Sequence, residues 1–294
     1  ARRDPRVVFL GSDLGPGTLD AMKAEMPERF FMEGVAEANL VGMAAGLALE
    51  GFVPYVNTIA TFLTRRCFDQ IVVDACLHRA PIRLIGNGGG LVYAPLGPTH
   101  QAIEDLAILR ALPHMTVVAP CDAQEMARLM PLTLDHPGPI YIRLAKGHDP
   151  IVSDPDLPFE IGRGLRLRRG DDALLVTTGV TLGPAREAAE LLRSRGLEVG
   201  ILHLPTVKPL DAEGLLDAAS GVPAILTVEE HSIVGGLGGA VAEILAESGL
   251  ACRLRRLGIP DVFAENYGSQ RALMERFGLS PDGIVRAVLD ARGA

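Results

Sequence analysis

Short apolar runs that end in glycine or proline, each followed by a stretch of helix length, recur along this chain and leave few folds open to it. Val7-Val8-Phe9-Leu10 runs into Gly11-Ser12-Asp13, Ile82-Arg83-Leu84-Ile85 ends in five residues of which four are glycine, and Thr116-Val117-Val118-Ala119 is stopped by Pro120. Pro139-Ile140-Tyr141-Ile142-Arg143 is a fourth such run. Unbroken apolar strands are covered on both faces, which is the habit of parallel sheets packed between helices. The intervening segments predict helices over 37–49, 68–77, 102–112 and 123–134.

A segment rich in Pro and Asp follows, Asp149-Pro150-Ile151-Val152-Ser153-Asp154-Pro155-Asp156-Leu157-Pro158, and then the alternation restarts. Strands are predicted over 173–177, 199–204, 224–228 and 253–257, with helices over 184–195, 239–248 and 284–290. The expected architecture is therefore α/β: two successive three-layer domains with mostly parallel sheets. We place them at 1–152 and 169–294, joined by a linker over 153–168. The 294 residues are 48% hydrophobic and 22% charged, enough for two cores and far from a disordered composition. A net charge of −8 argues against a nucleic-acid partner. The longest apolar runs, such as 40–49, are broken by glycine, so no membrane span is expected. The basic residues Arg2 and Arg3 precede no apolar signal region, and the four cysteines have no CxxC spacing. Reduced thiols and a cytoplasmic location are the expectation.

Two short segments carry candidate chemistry. In Gly34-Val35-Ala36-Glu37-Ala38-Asn39 a helix begins at Glu37. An acid there suits the helix dipole, or it is a buried carboxylate that hydrogen-bonds a heterocyclic ring nitrogen. In Gly97-Pro98-Thr99-His100-Gln101 a turn follows a strand and precedes a helix. Thr99 could simply cap that helix and His100 stand exposed. Equally, the carboxyl edge of an open α/β sheet is where ligands bind, and a histidine there can move a proton near neutral pH. The glycine runs 86–90 and 235–239 match neither GxxxxGK[ST] nor a strand-linked GxGxxG.

Taken together and in order, these segments resemble the transketolase family. Residues 8–149 resemble its pyrimidine-binding domain through Gly11-Ser12-Asp13-Leu14, through Arg29-Phe30-Phe31-Met32-Glu33-Gly34-Val35-Ala36-Glu37, and through Thr61-Phe62-Leu63-Thr64-Arg65-Arg66-Cys67-Phe68-Asp69-Gln70. The most specific block is Gly97-Pro98-Thr99-His100-Gln101-Ala102-Ile103-Glu104-Asp105-Leu106-Ala107. Residues 172–294 resemble the family's C-terminal domain, with Pro205-Thr206-Val207-Lys208-Pro209-Leu210-Asp211 and Glu229-Glu230-His231. Deoxyxylulose-phosphate synthase and the β subunits of 2-oxo acid dehydrogenases share this architecture.

The resemblance implies thiamine diphosphate as cofactor. Glu37 then stands for the glutamate that holds the aminopyrimidine, and a carboxyl in an apolar site is suited to sharing a proton with the ring. The resemblance further implies Phe62 and Phe68 as aromatic walls of the pyrimidine pocket, Arg65 as a guanidinium stacking where relatives carry an aromatic ring, and Asp13 as a further cofactor-binding residue. It also implies that His100 faces the reacting carbonyl and that Lys146, with Arg143 as a second candidate, anchors the substrate's anionic group. The family binds Mg²⁺ and the diphosphate through a GDG motif followed by Asn, and the sequence contains no GDG. The expectation is a second subunit that supplies this half, assembled as an α2β2 heterotetramer.

Near the substrate the chain departs from the family's pattern. Gly17 stands for a phosphate-contacting Ser, Gly88 for a substrate-contacting His, and Leu96 for an acid that contacts a donor hydroxyl. Each change removes a group that reads a sugar. The expected activity is transfer of a two-carbon ketol or acyl unit to an aldehyde. A subunit of a decarboxylating carboligase or dehydrogenase that uses a 2-oxo acid is the alternative, and a non-catalytic regulatory subunit is a different class. The retained Glu37, Phe62 and His100 argue against the last.

Overall fold

A computed structural model describes residues 1–12, 17–145, 147, 149–265 and 267–293. The first half contains strands β1 (Val7–Gly11), β2 (Phe30–Met32), β3 (Val53–Ile59), β4 (Arg83–Asn87), β5 (Thr116–Val118) and β6 (Ile140–Leu144). Its helices are α1 (Asp20–Glu25), α2 (Glu37–Leu49), α3 (Ala60–Arg66), α4 (Phe68–Gln70, continued by a π-helical stretch Ile71–Leu77), α5 (Asp105–Arg110) and α6 (Ala123–Thr133). The second half contains β7 (Leu165–Arg168), β8 (Ala173–Thr177), α7 (Leu182–Arg193), β9 (Val199–His203), β10 (Thr206–Lys208) and α8 (Ala212–Ala219). It continues through β11 (Ala224–Ser232), α9 (Leu237–Ser248), β12 (Arg253–Ile259), α10 (Gln270–Arg276) and α11 (Pro281–Gly293). Among the described residues, no helix is long and apolar enough to cross a membrane.

The first sheet has the order β10-β5-β6-β4-β3-β1-β2 and the second β12-β11-β8-β9-β7. All pairings are parallel except at one edge of each sheet, where β10 and β7 run antiparallel. Side-chain alternation explains the layers. On β6, Tyr141 enters the core beneath α2 and α5, while Ile140 and Ile142 enter the opposite core with Leu129 of α6. In the second sheet Leu174 and Val176 pack toward α8 and α9, while Ala173 and Leu175 pack toward α7 and α11.

Two expectations need adjustment. Helix α5 begins at Asp105 rather than at 102, because the backbone of Ala102 is taken by a bridge to Gly90 (N–O 2.8 Å). Residues 165–168, inside the segment expected as linker, form β7 on the edge of the second sheet. The sequence pattern also gave no sign of β3, a central strand. Pro54 interrupts its apolar run, and proline usually argues against a central strand.

The two halves are sewn together rather than simply linked. β10, from the second half, pairs with β5 at the edge of the first sheet. Ala119 N–H donates to Pro205 O (2.7 Å), and Gly179 N–H to Ala119 O (3.0 Å). Asp122 caps α6 through Glu125 N–H (2.9 Å) and accepts the N–H groups of Val152 and Ser153 at the start of the connecting segment. Burial opposes ionisation of that carboxyl, yet its backbone donors hold it below the usual carboxylate range.

At the centre of the seam Arg143 donates from Nη2 to Ala102 O (2.9 Å) and Glu230 O (2.8 Å), and its Nε lies 3.1 Å from Asp105 Oδ2. Asp105 also accepts the Tyr141 hydroxyl at 2.7 Å. The approach is so close that a Cβ on Gly89 would collide with Arg143 and one on Gly90 with Glu230. Gly90 therefore lets the two domains touch, while Gly89 leaves room for the Arg143 side chain of its own domain. Likewise, Glu229 accepts Leu237 N–H (2.7 Å) and Gly238 N–H (2.8 Å) at the start of α9, so the 235–239 glycines wrap a carboxylate of the chain's own.

Burial raises Glu229 and Glu230 to about 7. A carboxyl raised in the fold favours the native state fully at acidic pH and loses that contribution as pH rises through the folded value. Thermal stability is expected to fall between about pH 5 and pH 8, and Glu230→Gln to flatten that slope, as followed by Tm across the range. Arg143→Met leaves Asp105 buried without its counter-charge. It should cost about 3–5 kcal/mol of stability, measured by denaturant unfolding.

Candidate active site

Parallel strands β1, β3 and β4 all present their carboxyl ends to one edge of the first sheet, the edge at which open α/β folds collect ligands. Chain Ile59–Ala60 passes from β3 into α3 without a loop, so the first turn of α3 sits on this edge. Helix α2 buries Glu37, Leu40, Val41, Ala44, Ala45 and Ala48, a stripe of helical period. Glu37 belongs to that stripe and is 4% exposed. A solvated acid serving only the helix dipole has no reason to lie there.

The carboxylate of Glu37 meets the guanidinium of Arg66, with Nη1 at 3.1 Å from Oε2 and 3.3 Å from Oε1. Arg66 Cζ lies 4.1 Å from the centroid of the Phe62 ring. The His100 imidazole meets Phe62 with centroids 5.1 Å apart and planes at 70°. His100 Nδ1 is 2.9 Å from Thr99 Oγ1. A buried carboxylate, a guanidinium, an aromatic face and an imidazole thus form one continuous row. Its first member comes from α2, the next two from α3 and the last from the loop before α5.

Beside the row, the side-chain amide of Gln101 and the hydroxyl of Thr61 are buried without hydrogen-bond partners within the chain. Unmet polar groups at the carboxyl edge of a sheet are what a polar heterocycle would satisfy. Together with Glu37 and Phe62 they fit the aminopyrimidine half of thiamine diphosphate.

The sequence expectations map onto this edge unevenly. Glu37, Phe62 and His100 come together. Phe68 opens α4 and is 37% exposed. Arg65, expected to stack, is instead paired with Glu104 and donates to Gln101 O at 2.9 Å. The stacking guanidinium is Arg66, which the sequence reading passed over. Both arginines lie within one turn of Phe62, three and four residues on, and their partners separate them: Glu104 and Gln101 O hold Arg65, while Glu37 holds Arg66 over the ring. Arg143 is no free anchor, since its Nη2 donates to Ala102 O and, across the seam, to Glu230 O, and its Nε lies 3.1 Å from the Asp105 carboxylate. Asp13 and Lys146 lie outside the described residues.

Comparison with known proteins places this geometry. The family model described as transketolase, pyrimidine binding domain, matches residues 1–150, and that described as transketolase, C-terminal domain, matches 162–284. The chain is 38% identical to a putative uncharacterized transketolase family protein of Sinorhizobium fredii, over 98% of this chain and 84% of the relative. It is 37% identical to a 6-deoxy-6-sulfo-D-fructose transketolase subunit of a Clostridium species, over 98% and 89%. A solved structure described as a split gene transketolase in an inactive β4 tetramer superimposes with a TM-score of 0.88 at 37% identity, covering 99% of this chain and 93% of that one. The chain spans about half the length of the 1-deoxy-D-xylulose-5-phosphate synthases it also matches. From its matched domains and the buried glutamate at the sheet edge, this chain belongs to the transketolase family and carries that family's pyrimidine-binding and C-terminal domains.

Proposed function

We propose that this chain is the pyrimidine-binding subunit of a transketolase-like transferase that depends on thiamine diphosphate and moves a two-carbon ketol unit to an aldehyde. The observation that carries the reading is Glu37, a carboxylate on the core-facing stripe of α2 that heads a row ending in an imidazole. When bound, the cofactor supplies a carbon nucleophile and an electron sink. Glu37 is placed to hold a proton at a pyrimidine nitrogen. Phe62 offers a flat apolar face that excludes water from that ring. His100 can give or take a proton at the oxygen of a reacting carbonyl. Arg66 fixes the orientation of the Glu37 carboxylate.

A second subunit is proposed to bring the diphosphate and Mg²⁺ sites. Support comes from relatives that are named as subunits and match nearly end to end. An α2β2 assembly is the simplest closed arrangement. Free thiols at Cys67, Cys76, Cys121 and Cys252 fit a cytoplasmic, reducing compartment.

A second reading concerns the donor. A side chain at Gly88 would collide with the Tyr93 ring, Gly88 has φ +71°, and Leu96 is half-exposed where a polar group would read a hydroxyl. These features favour a donor with fewer hydroxyls, including a 2-oxo acid that enters by decarboxylation. Lys146 remains the proposed anchor for an anionic acceptor.

Activity is expected only with the partner subunit, Mg²⁺ and cofactor together, and Glu37→Gln should lower kcat by at least ~100-fold. Turnover with xylulose 5-phosphate, hydroxypyruvate and pyruvate, against a panel of aldehydes, tests both readings at once. Full activity of Glu37→Gln would remove the carboxylate from the chemistry. Highest kcat/KM with xylulose 5-phosphate would remove the altered-donor reading.

The two adjacent arginines should also separate. A charge-assisted hydrogen bond contributes about 1.5–3 kcal/mol, so Arg66→Ala should lower kcat/KM by roughly 10–100-fold. Arg65→Ala should change it less than about fivefold, because a partly exposed ion pair contributes ~1 kcal/mol or less. Steady-state kinetics on the assembled enzyme decides the comparison.

A further inference from the structure

A second group of reactive side chains lies in the domain seam, apart from the row at Glu37. Cys121 follows β5 and Pro120, Glu125 sits on the first turn of α6, and His203 ends β9. Their ligand atoms all lie within 4.8 Å of one another, and the three residues are 0–2% exposed. Two come from the first domain and one from the second. Glu125 lies on the buried stripe of α6 with Leu129 and Thr133, one turn apart each. An acid on such a stripe needs a reason, as Glu37 does.

The hydrogen bonds around the group leave something out. His203 Nδ1 is 2.9 Å from Thr177 Oγ1. That hydroxyl can donate as well as accept, and Nε2 faces Glu125 Oε2 at 3.4 Å, a long contact for a hydrogen bond. A direct charge-assisted N–H···O bond would be about 2.7–2.9 Å. Two ligands at ~2.0–2.1 Å from a tetrahedral cation are instead about 3.3–3.4 Å apart, the separation found here. Glu125 Oε2 also accepts Cys121 N–H at 2.7 Å, which orients the carboxylate, while Oε1 is buried with no hydrogen-bond partner.

We propose that Cys121 Sγ, the Glu125 carboxylate and His203 Nε2 form a binding site for a zinc-class divalent cation that clamps the two domains together. Thr177 fixes the ring of His203 from behind, as outer hydrogen bonds do at metal-bound histidines. The charges balance: one thiolate and one carboxylate offset the 2+ ion, and the thiol proton leaves to solvent on binding.

Cobalt(II) titration of the full chain tests this without cofactor or partner. One equivalent should bind at micromolar concentration, with the visible bands of a tetrahedral ion and a thiolate charge-transfer band. Zinc(II) should displace it and raise Tm. His203→Gln should weaken cobalt affinity at least tenfold. Cys121→Ser, which preserves size, should abolish the charge-transfer band, and it keeps the test intact if Cys121→Ala does not fold. No stoichiometric cobalt or zinc binding by the wild-type chain would overturn the proposal. So would a charge-transfer band unchanged in Cys121→Ser, which would place the ion on another thiol.

Discussion

The buried guanidinium of Arg143 is the contact on which the rest of the molecule depends. It lies on β6 in the middle of the first sheet, yet its donors reach the loop before α5 and the backbone of β11 in the second. A buried charge is tolerable only when opposite charge and hydrogen bonds surround it. Asp105 and the Ala102 and Glu230 carbonyls do so here. The domains therefore cannot separate without exposing or orphaning that charge, and the seam acts as a second core built from polar groups.

This constraint sets the functional edge. The loop carrying His100 is tied at Ala102 to Gly90 and Arg143, so the imidazole is held against Phe62 from the seam side. Glu37 and Phe62 are held from the opposite side, by the apolar packing of α2 and α3 on the first sheet. Proton-moving groups thus reach one place from two directions, each supported by a different kind of force. The glycines at 89 and 90 serve this arrangement, since a side chain at 90 would push the seam apart and one at 89 would collide with Arg143. His231 completes the seam: burial keeps its ring from charging, Nδ1 lies 2.6 Å from Ser232 O, and Nε2 accepts Ala107 N–H.

Family likeness and local physics converge on the same residues by independent routes. The matched domains span most of the chain. The packing alone marks Glu37 as out of place for a surface acid. In the glycine runs 86–90 and 235–239, Gly90 allows close domain contact and Gly236 makes room for a helix-capping glutamate.

Alternating apolar runs and their Gly or Pro stops were enough to determine two α/β domains with mostly parallel sheets, because each strand needs helices on both faces whatever its neighbours are. The order of the blocks around Glu37, Phe62 and His100 determined the family. Contacts set by partners distant in sequence or by pairing across domains were decided only by the tertiary structure. Arg66 rather than Arg65 faces Phe62 because Glu37 holds it there while Glu104 and Gln101 hold Arg65, and none of these partners is near in sequence. Arg143 is a seam residue rather than a substrate anchor because its partners, Asp105 and Glu230, are distant in sequence. That β10 joins the first sheet from the second half is not legible in the sequence, because three residues before a proline carry no periodicity to read. Local patterns fix which elements form, and only the folded chain decides which distant side chains neutralise one another.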